Sequence, residues 1–264
     1  MDAQGVALVT GAGRGLGRAV AIELARRGFD VIATMRDPAR GTGLTEEARG
    51  ASGSITVAPL DVNRPETMDL PTGLRVLVNN AAIERDYLPL ESVPMEQWRD
   101  VFETNVFGLV EVARRAVPLM REAGGGVICN ITSSSLVVSV PFYSVYRASK
   151  AAVAALGESL RTEVAPFGIR VVEVLPGPID TDMLASSSRR PEAADVPGYE
   201  ALALAWYAGR GAASDFTTAP GHAAAAICDA ILDDDGPLRW GCDDLGKQLL
   251  AAWQADPEGT MGTR

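Results

Sequence analysis

The sequence predicts an α/β fold: one doubly wound parallel sheet with helices on both faces, built by the 264-residue chain as a single domain. Three observations lead there. From the first residues to about 180, short β-branched apolar runs alternate with amphipathic stretches, as in strands buried on both faces and joined by helical crossovers. The first run ends in a glycine-rich turn that opens directly into a helical stretch. No internal repeat or linker breaks the alternation, and right-handed crossovers then wind such a sheet in both directions.

Val6–Thr10 reads as the first strand and Leu16–Arg27 as the helix after the turn. Val31–Thr34, Ser54–Leu60 and Leu74–Asn79 follow as strands. The segment between Asp61 and Leu74 is too short for a full crossover helix, and Pro65 and Pro71 shorten it further, to a turn or two. A long helical stretch from Pro94 to about Ala123 leads into the strand Val127–Thr132. Ser144–Ala165 is helical, and Arg170–Leu175 is the sixth strand. From Asp182 to about 220 the composition turns to Ser, Arg, Pro, Gly and Ala, with Tyr199, Trp206, Tyr207 and Phe216 spaced through it. Its place after a sheet strand, where ligands of such folds bind, marks it as a substrate lid; a surface helical insertion is the plainer alternative. A helix (Gly221–Leu232), a short strand around Leu238–Gly241 and a last helix (Asp244–Ala255) complete the domain, with a loose tail expected from 256 to 264.

Composition excludes several classes. The net charge is −10 and no concentrated basic patch appears, so nucleic acid is not an expected partner. No run approaches the ~18 apolar residues of a membrane span, and the first residues lack the pattern of a signal peptide; a cytoplasmic protein with no membrane partner is expected. Cys129, Cys228 and Cys242 are odd in number and widely spaced, which suits a reducing compartment and argues against a metal site.

The turn after the first strand is Thr10-Gly11-Ala12-Gly13-Arg14-Gly15-Leu16-Gly17. Glycines there let the backbone approach a pyrophosphate, whose charge is favoured at the helix N-terminus. A nucleoside-triphosphate loop is ruled out, because no Lys-Ser/Thr follows the last glycine. Further along come Asp61, Asn79-Asn80-Ala81-Ala82, Asn105, Ser133, Tyr146-Arg147-Ala148-Ser149-Lys150 and Pro176-Gly177-Pro178-Ile179-Asp180-Thr181. In this order the chain resembles the short-chain dehydrogenase/reductase family from about Val6 to Met183, and more weakly to Gly241. The resemblance implies a Rossmann-type dinucleotide fold and hydride transfer between a nicotinamide and a carbonyl or secondary alcohol.

Tyr146 and Lys150 stand four apart in a helical segment, on one face. An ordinary Tyr has pKa ~10, and drawing it to about 7 takes roughly 4 kcal/mol. A cation ~4 Å away at an effective dielectric of ~20 supplies about that much, so Lys150 together with the positive nicotinamide ring is a sufficient cause. Only two of the 24 basic residues are lysines, Lys150 and Lys247, as expected if a compact ammonium is needed at this site. By the resemblance, Ser133 hydrogen-bonds the substrate oxygen, with Ser134, Ser135, Ser139 and Tyr143 as decoys, and Asn105 holds a water that connects the lysine to solvent.

For the cofactor, Met35 takes the position at the end of the second strand where NAD-preferring members carry an acid, and Arg36 follows. Arg36, with Arg14 from the glycine turn, is placed to pair with a 2′-phosphate, so NADP(H) is expected to be preferred; Asp37, one residue on, keeps NAD(H) open. The resemblance adds Asp61 and Val62 at the adenine, Asn80 and Ala81 along the adenosine, and Pro176, Gly177, Ile179 and Thr181 near the nicotinamide. Val138, Phe142 and Leu184 suggest a hydrophobic ketone or alcohol. His222, the one histidine, reads as a helix-start surface residue.

Two departures bear on these expectations. Ala82 stands where the family usually has glycine, adding a methyl group near the cofactor. The Pro237-Leu238-Arg239-Trp240-Gly241 ending lacks the V-D-G-G type of tetrameric members and is closer to steroid- and retinoid-type relatives. A homodimer through the helices at about 94–123 and 144–165 is expected, with a homotetramer the alternative. A dehydratase or epimerase using the same residues, and a non-catalytic nucleotide sensor, are the rival functions; the sensor would be expected to lose Tyr146 or Lys150.

Overall fold

The computed structural model describes residues 1–212 and 216–259. Seven strands, β1 (Val6–Val9), β2 (Asp30–Met35), β3 (Ser54–Pro59), β4 (Leu74–Asn79), β5 (Gly126–Ile131), β6 (Ile169–Leu175) and β7 (Arg239–Gly241), form one sheet in the order β3-β2-β1-β4-β5-β6-β7. Every adjacent pair is parallel. The chain winds outward from β1 in one direction and from β4 in the other. The gap between those two strands is the switch point, where ligands of such sheets bind beyond the strand ends.

Because successive strand residues point to opposite faces, β1 feeds two cores. Ala7 and Val9 join the core covered by α1 (Gly15–Arg27), where Val20, Leu24, Ile227 and Ile231 also pack. Leu8 joins Leu77, Val112, Met120 and Ile128 in the other. After β2 come a 3₁₀ turn (Pro38–Gly41) and the short α2 (Leu44–Glu47), two features the sequence pattern does not signal. The β3–β4 crossover is a single 3₁₀ turn, Pro65–Thr67, as the two prolines imply.

The long stretch before β5 is three pieces: α3 (Met95–Phe102), a π-turn (Glu103–Gly108) and α4 (Leu109–Glu122). Helix α5 (Ser144–Val164) lies between β5 and β6 in sequence and packs on β6. The lid region is itself helical, with α6 (Asp182–Ser187), a 3₁₀ turn (Glu192–Asp195) and α7 (Glu200–Ala212). Helices α8 (Pro220–Leu232), packed on α1, and α9 (Asp244–Ala255) follow. Of the tail, 256–259 are described and end in a turn closed by the Gly259 N–H on Asp256 Oδ1 (3.0 Å); 260–264, like 213–215 of the lid region, lie outside the described residues. His222 is exposed in the first turn of α8, as expected.

Candidate active site

The loops leaving the C-terminal ends of β1, β2, β3, β4, β5 and β6 surround one cleft of about 740 Å³. Each expected site residue except Asn105 lines it. At one end lies the glycine turn. Gly11 has φ +66°, and a Cβ there would stand 2.9 Å from the Ala81 backbone. A Cβ on Gly17 would collide with the Asn80 amide and the Gly11 carbonyl. The Asn80 side chain is committed to this turn, donating to the carbonyls of Thr10 (2.9 Å) and Gly11 (3.2 Å). Thr10 Oγ1 in turn accepts from the N–H groups of Asn80 and Ala81. Asn80 thus fixes the cradle instead of offering its amide to a ligand. No side chain caps the N-terminus of α1, so its first N–H groups face the cleft region with their positive dipole end.

At the end of β2, Met35 is buried against Gly13 and Gly41, while Arg36 and Arg40 line the cleft. Neither arginine makes an ion pair among the described residues. The Asp37 carboxylate caps the 3₁₀ turn, accepting from Ala39 N at 3.0 Å. Asp37 lines the cleft beside Arg36 as well. Arg14 lines the cleft too, its guanidinium paired with Asp182 at the start of α6 (2.8 Å) across an exposed edge. Asp61 and Val62 line the cleft after β3, with the Asp61 backbone held by Thr67.

Ser133 follows β5. Its Oγ accepts from the N–H (3.2 Å) and the hydroxyl (2.9 Å) of Ser135, so Ser135, a decoy by spacing, orients it. In the second turn of α5, Lys150 is buried and donates from Nζ to the Ile131 carbonyl at 2.8 Å; its Nζ lies 5.6 Å from the centre of the Tyr146 ring. Burial pulls the Lys150 ammonium down from 10.5 to about 8. Burial pushes the Tyr146 phenol well above its ordinary value, helped by the negative charge of Glu84 and by Tyr87, and opposed by a hydrogen bond with Ser133. In the protein without cofactor, desolvation dominates and the phenol stays protonated.

Asn105 sits in the π-turn, almost fully buried. Its amide exchanges both hydrogen bonds with the backbone of Ile83 (2.8 and 2.9 Å) and donates to Ser149 Oγ (3.0 Å), which donates to the Tyr146 carbonyl (2.7 Å). Through its side-chain amide Asn105 ties the β4 loop to the helix carrying Tyr146.

At the β6 end, the Gly177 N–H donates to buried Asp243 (2.6 Å), and Thr181 caps α6. Sequence reasoning missed Glu84, Tyr87, Arg40, Ser135 and Ser149. Arg40 was hidden by a turn that no periodicity marks. Glu84 follows directly on Asn79-Asn80-Ala81-Ala82-Ile83, a signal available only if the cleft side of that loop is known. On the lid, Trp206 lines the cleft and Tyr199 packs on Phe142, whereas Tyr207 and Phe216 are exposed. Phe142, held at φ 64°, also packs on Trp206.

The sequence profile described as short chain dehydrogenase matches residues 5–192. The chain belongs to the short-chain dehydrogenase/reductase family. It is 38% identical to an uncharacterized oxidoreductase, YusZ, of Bacillus subtilis over 191 residues, covering 69% of this chain and 68% of that one. It is 30% identical to retinol dehydrogenase 8 of Bos taurus over 100% of this chain and 89% of the other. Among solved structures, a short-chain dehydrogenase from Streptomyces avermitilis superimposes with TM-score 0.76 at 30% identity, covering 97% and 98% of the two chains. One from Burkholderia cenocepacia in complex with NADP gives 0.71 at 27%, covering 98% and 97%. A 7α-hydroxysteroid dehydrogenase complexed with NADH gives 0.63 at 28%, covering 69% and 73%. The protein is an NAD(P)-dependent oxidoreductase with a Rossmann-order sheet. Among the described residues no helix is long and apolar enough to cross a membrane, and no group of His, Cys, Asp and Glu is placed to hold a metal.

Proposed function

We propose that this dehydrogenase reduces a hydrophobic ketone, or oxidises the matching secondary alcohol, with NADP(H) as preferred cofactor. The observation that carries the reading is the meeting of Ser133, Tyr146 and Lys150 on the wall of a cleft whose other end holds two arginines without ion pairs. The cradle fits a dinucleotide: Gly11 and Gly17 let the turn pack tightly on Asn80 and Ala81 where a Cβ would clash, and the α1 N-terminus favours the charge of a pyrophosphate. Arg36 and Arg40 would hold the 2′-phosphate, Asp61 and Val62 the adenine, and Ile179 and Thr181 the carboxamide. The bound nicotinamide supplies or takes the hydride.

Ser133, oriented by Ser135, and Tyr146 hold the substrate oxygen where negative charge develops. The Tyr146 phenol, protonated in the protein without cofactor, gives its proton to that oxygen. Lys150, fixed by Ile131, places a positive charge beside the phenol and helps bring the proton back. Val138, Leu184 and Leu249 give the substrate end its apolar walls.

The small residues Ala151 and Ala155 leave an exposed face on α5, as a dimer through α4 and α5 requires. Three buried, free cysteines suit a reducing cytoplasm. The test is titration with NADPH and NADH, followed by tryptophan quenching, in wild type and Arg36→Ala. Hydrogen bonds to a charged group are worth ~1.5–3 kcal/mol, so NADPH binds at least about tenfold tighter in wild type and loses that margin in the variant. Equal binding in wild type refutes the 2′-phosphate assignment. Net NADPH consumption with a ketone separates hydride transfer from dehydration or epimerisation.

A further inference from the structure

We infer that Ser135 is a positioning residue for carbonyl reduction: by filling both acceptor sites of the Ser133 hydroxyl, it makes that hydroxyl a fixed donor toward the substrate oxygen. This rests on the cleft being the site of carbonyl reduction. A serine hydroxyl has one proton to donate and two lone pairs with which to accept. Both lone pairs of Ser133 are engaged by a single residue, through the Ser135 N–H at 3.2 Å and the Ser135 hydroxyl at 2.9 Å. The proton is what Ser133 has left to offer. An oxygen set against it in the cleft wall therefore receives a hydrogen bond and cannot give one.

The two serines differ in setting. Ser133 is half-buried, in extended backbone after β5, whereas Ser135 is 5% exposed. Hydrogen bonds gain strength away from water, and bonds in a chain polarise one another, so a hydroxyl that accepts is the better donor. The chain runs from Ser135 through Ser133 to the oxygen beyond it. In the protein without cofactor that oxygen is the Tyr146 phenol: burial raises its affinity for the proton, and the bond from Ser133 works against the rise. A substrate oxygen lying between Ser133 and Tyr146 accepts from Ser133 in either direction of the reaction. The proton that moves is then Tyr146's alone. In reduction the phenol O–H bond breaks and an O–H bond forms on the substrate, while Ser133 keeps its own proton.

The turn that carries Ser135 is tied to both neighbouring parts of the site. Arg147, the residue after Tyr146, donates from Nε to the Ser135 carbonyl (2.7 Å) and from Nη2 to the Leu136 carbonyl (3.3 Å). The Ser134 N–H donates to the carbonyl of Pro176, just after β6 (2.9 Å). The position of the Ser133 proton is thus referred to the helix that bears Tyr146 and to the loop leading to Ile179 and Thr181.

Neutron diffraction from crystals of the protein exchanged into heavy water reads the polarity directly. The Ser135 deuteron is expected on the line to Ser133 Oγ, and the Ser133 deuteron toward the Tyr146 oxygen. A Ser133 deuteron lying on Ser135 Oγ overturns the proposal, whatever the kinetics. Ser135→Ala, which keeps the N–H and loses the hydroxyl, is then assayed for NADPH consumption with acetophenone, cyclohexanone and α-tetralone. With the ketones that wild type reduces, kcat falls about three- to tenfold, as for the loss of one hydrogen bond. KM for the ketone and NADPH affinity in fluorescence titration stay within about twofold, since an interaction that strengthens only in the transition state is lost from kcat. A kcat within about twofold of wild type overturns the proposal. So does a loss carried by KM and NADPH affinity instead, the mark of a merely structural serine. If wild type reduces none of the three ketones, the carbonyl-reductase reading falls, and diffraction alone decides whether Ser133 is a fixed donor.

Discussion

Replacing Lys150 by methionine should make this enzyme more stable at neutral pH while removing its activity. Lys150 is buried with an ammonium whose pKa falls from 10.5 to about 8, and burial is the cause. That difference corresponds to roughly 3 kcal/mol at about 1.36 kcal/mol per tenfold change. It is a cost carried by the charged side chain in the folded state. Methionine fills similar space without the charge, but leaves the Ile131 carbonyl without its donor, which costs about 1–3 kcal/mol. The variant should therefore gain about 1 kcal/mol near pH 7.

The sign with pH is definite. Between about 8 and 10.5 the folded protein has released the Lys150 proton and the unfolded chain still holds it, so wild-type stability gains from rising pH in that window. Near pH 9.5 about 2 kcal/mol of the penalty has gone, and Lys150→Met becomes the less stable of the two. Urea denaturation of both proteins at the two pH values, compared as a difference so that other titrations cancel, measures it. A variant less stable than wild type near pH 7, or a difference that does not change with pH, refutes the reasoning.

Three further outcomes follow from the site. Tyr146→Phe should lower kcat for ketone reduction by about 10²–10⁴, the range for losing a general acid, with NADPH affinity retained in fluorescence titration. Gly17→Ala should destabilise by about 1–3 kcal/mol and weaken both cofactors alike, because its Cβ meets a backbone carbonyl and a committed amide; thermal melts and the two titrations report it. Asp243→Ala strands the N–H groups of Gly177 and Gly246, which it accepts at 2.6 and 2.8 Å in a buried position. A loss of about 2–5 kcal/mol in urea is expected, with a raised KM for cofactor as the Pro176–Gly177 loop shifts.

Much of this was legible in the sequence because the evidence was local. The glycine turn declared itself through a strand, a spacing and a helix within about twenty residues, and Tyr146 and Lys150 through one helical turn. Strands such as Leu74–Asn79 were legible because burial on both faces leaves continuous apolar runs. What was hidden depends on partners distant in sequence. Glu84 gains its meaning from Tyr143, 59 residues later. Arg14 could not be paired with Asp182 from spacing, since 168 residues separate them. The burial that raises the Tyr146 phenol in the protein without cofactor was hidden for a related reason: a neighbouring cation is visible in sequence, whereas desolvation is set by everything packed around it.

The π-turn at Glu103–Gly108 has a consequence for how this protein tolerates change. A helix with a π-turn behaves as one carrying an inserted residue, and losing a residue there lets the helix close into regular α geometry. Such a deletion would improve the helix and rotate Asn105 away from Ile83, releasing the loop that carries Glu84 and loosening the tie to Ser149. Most positions of a helix are guarded against substitution by what they touch. Here the length of the chain is itself guarded, so lineages of this enzyme should accept exchanges at Val106 or Phe107 more readily than any gap between residues 103 and 108.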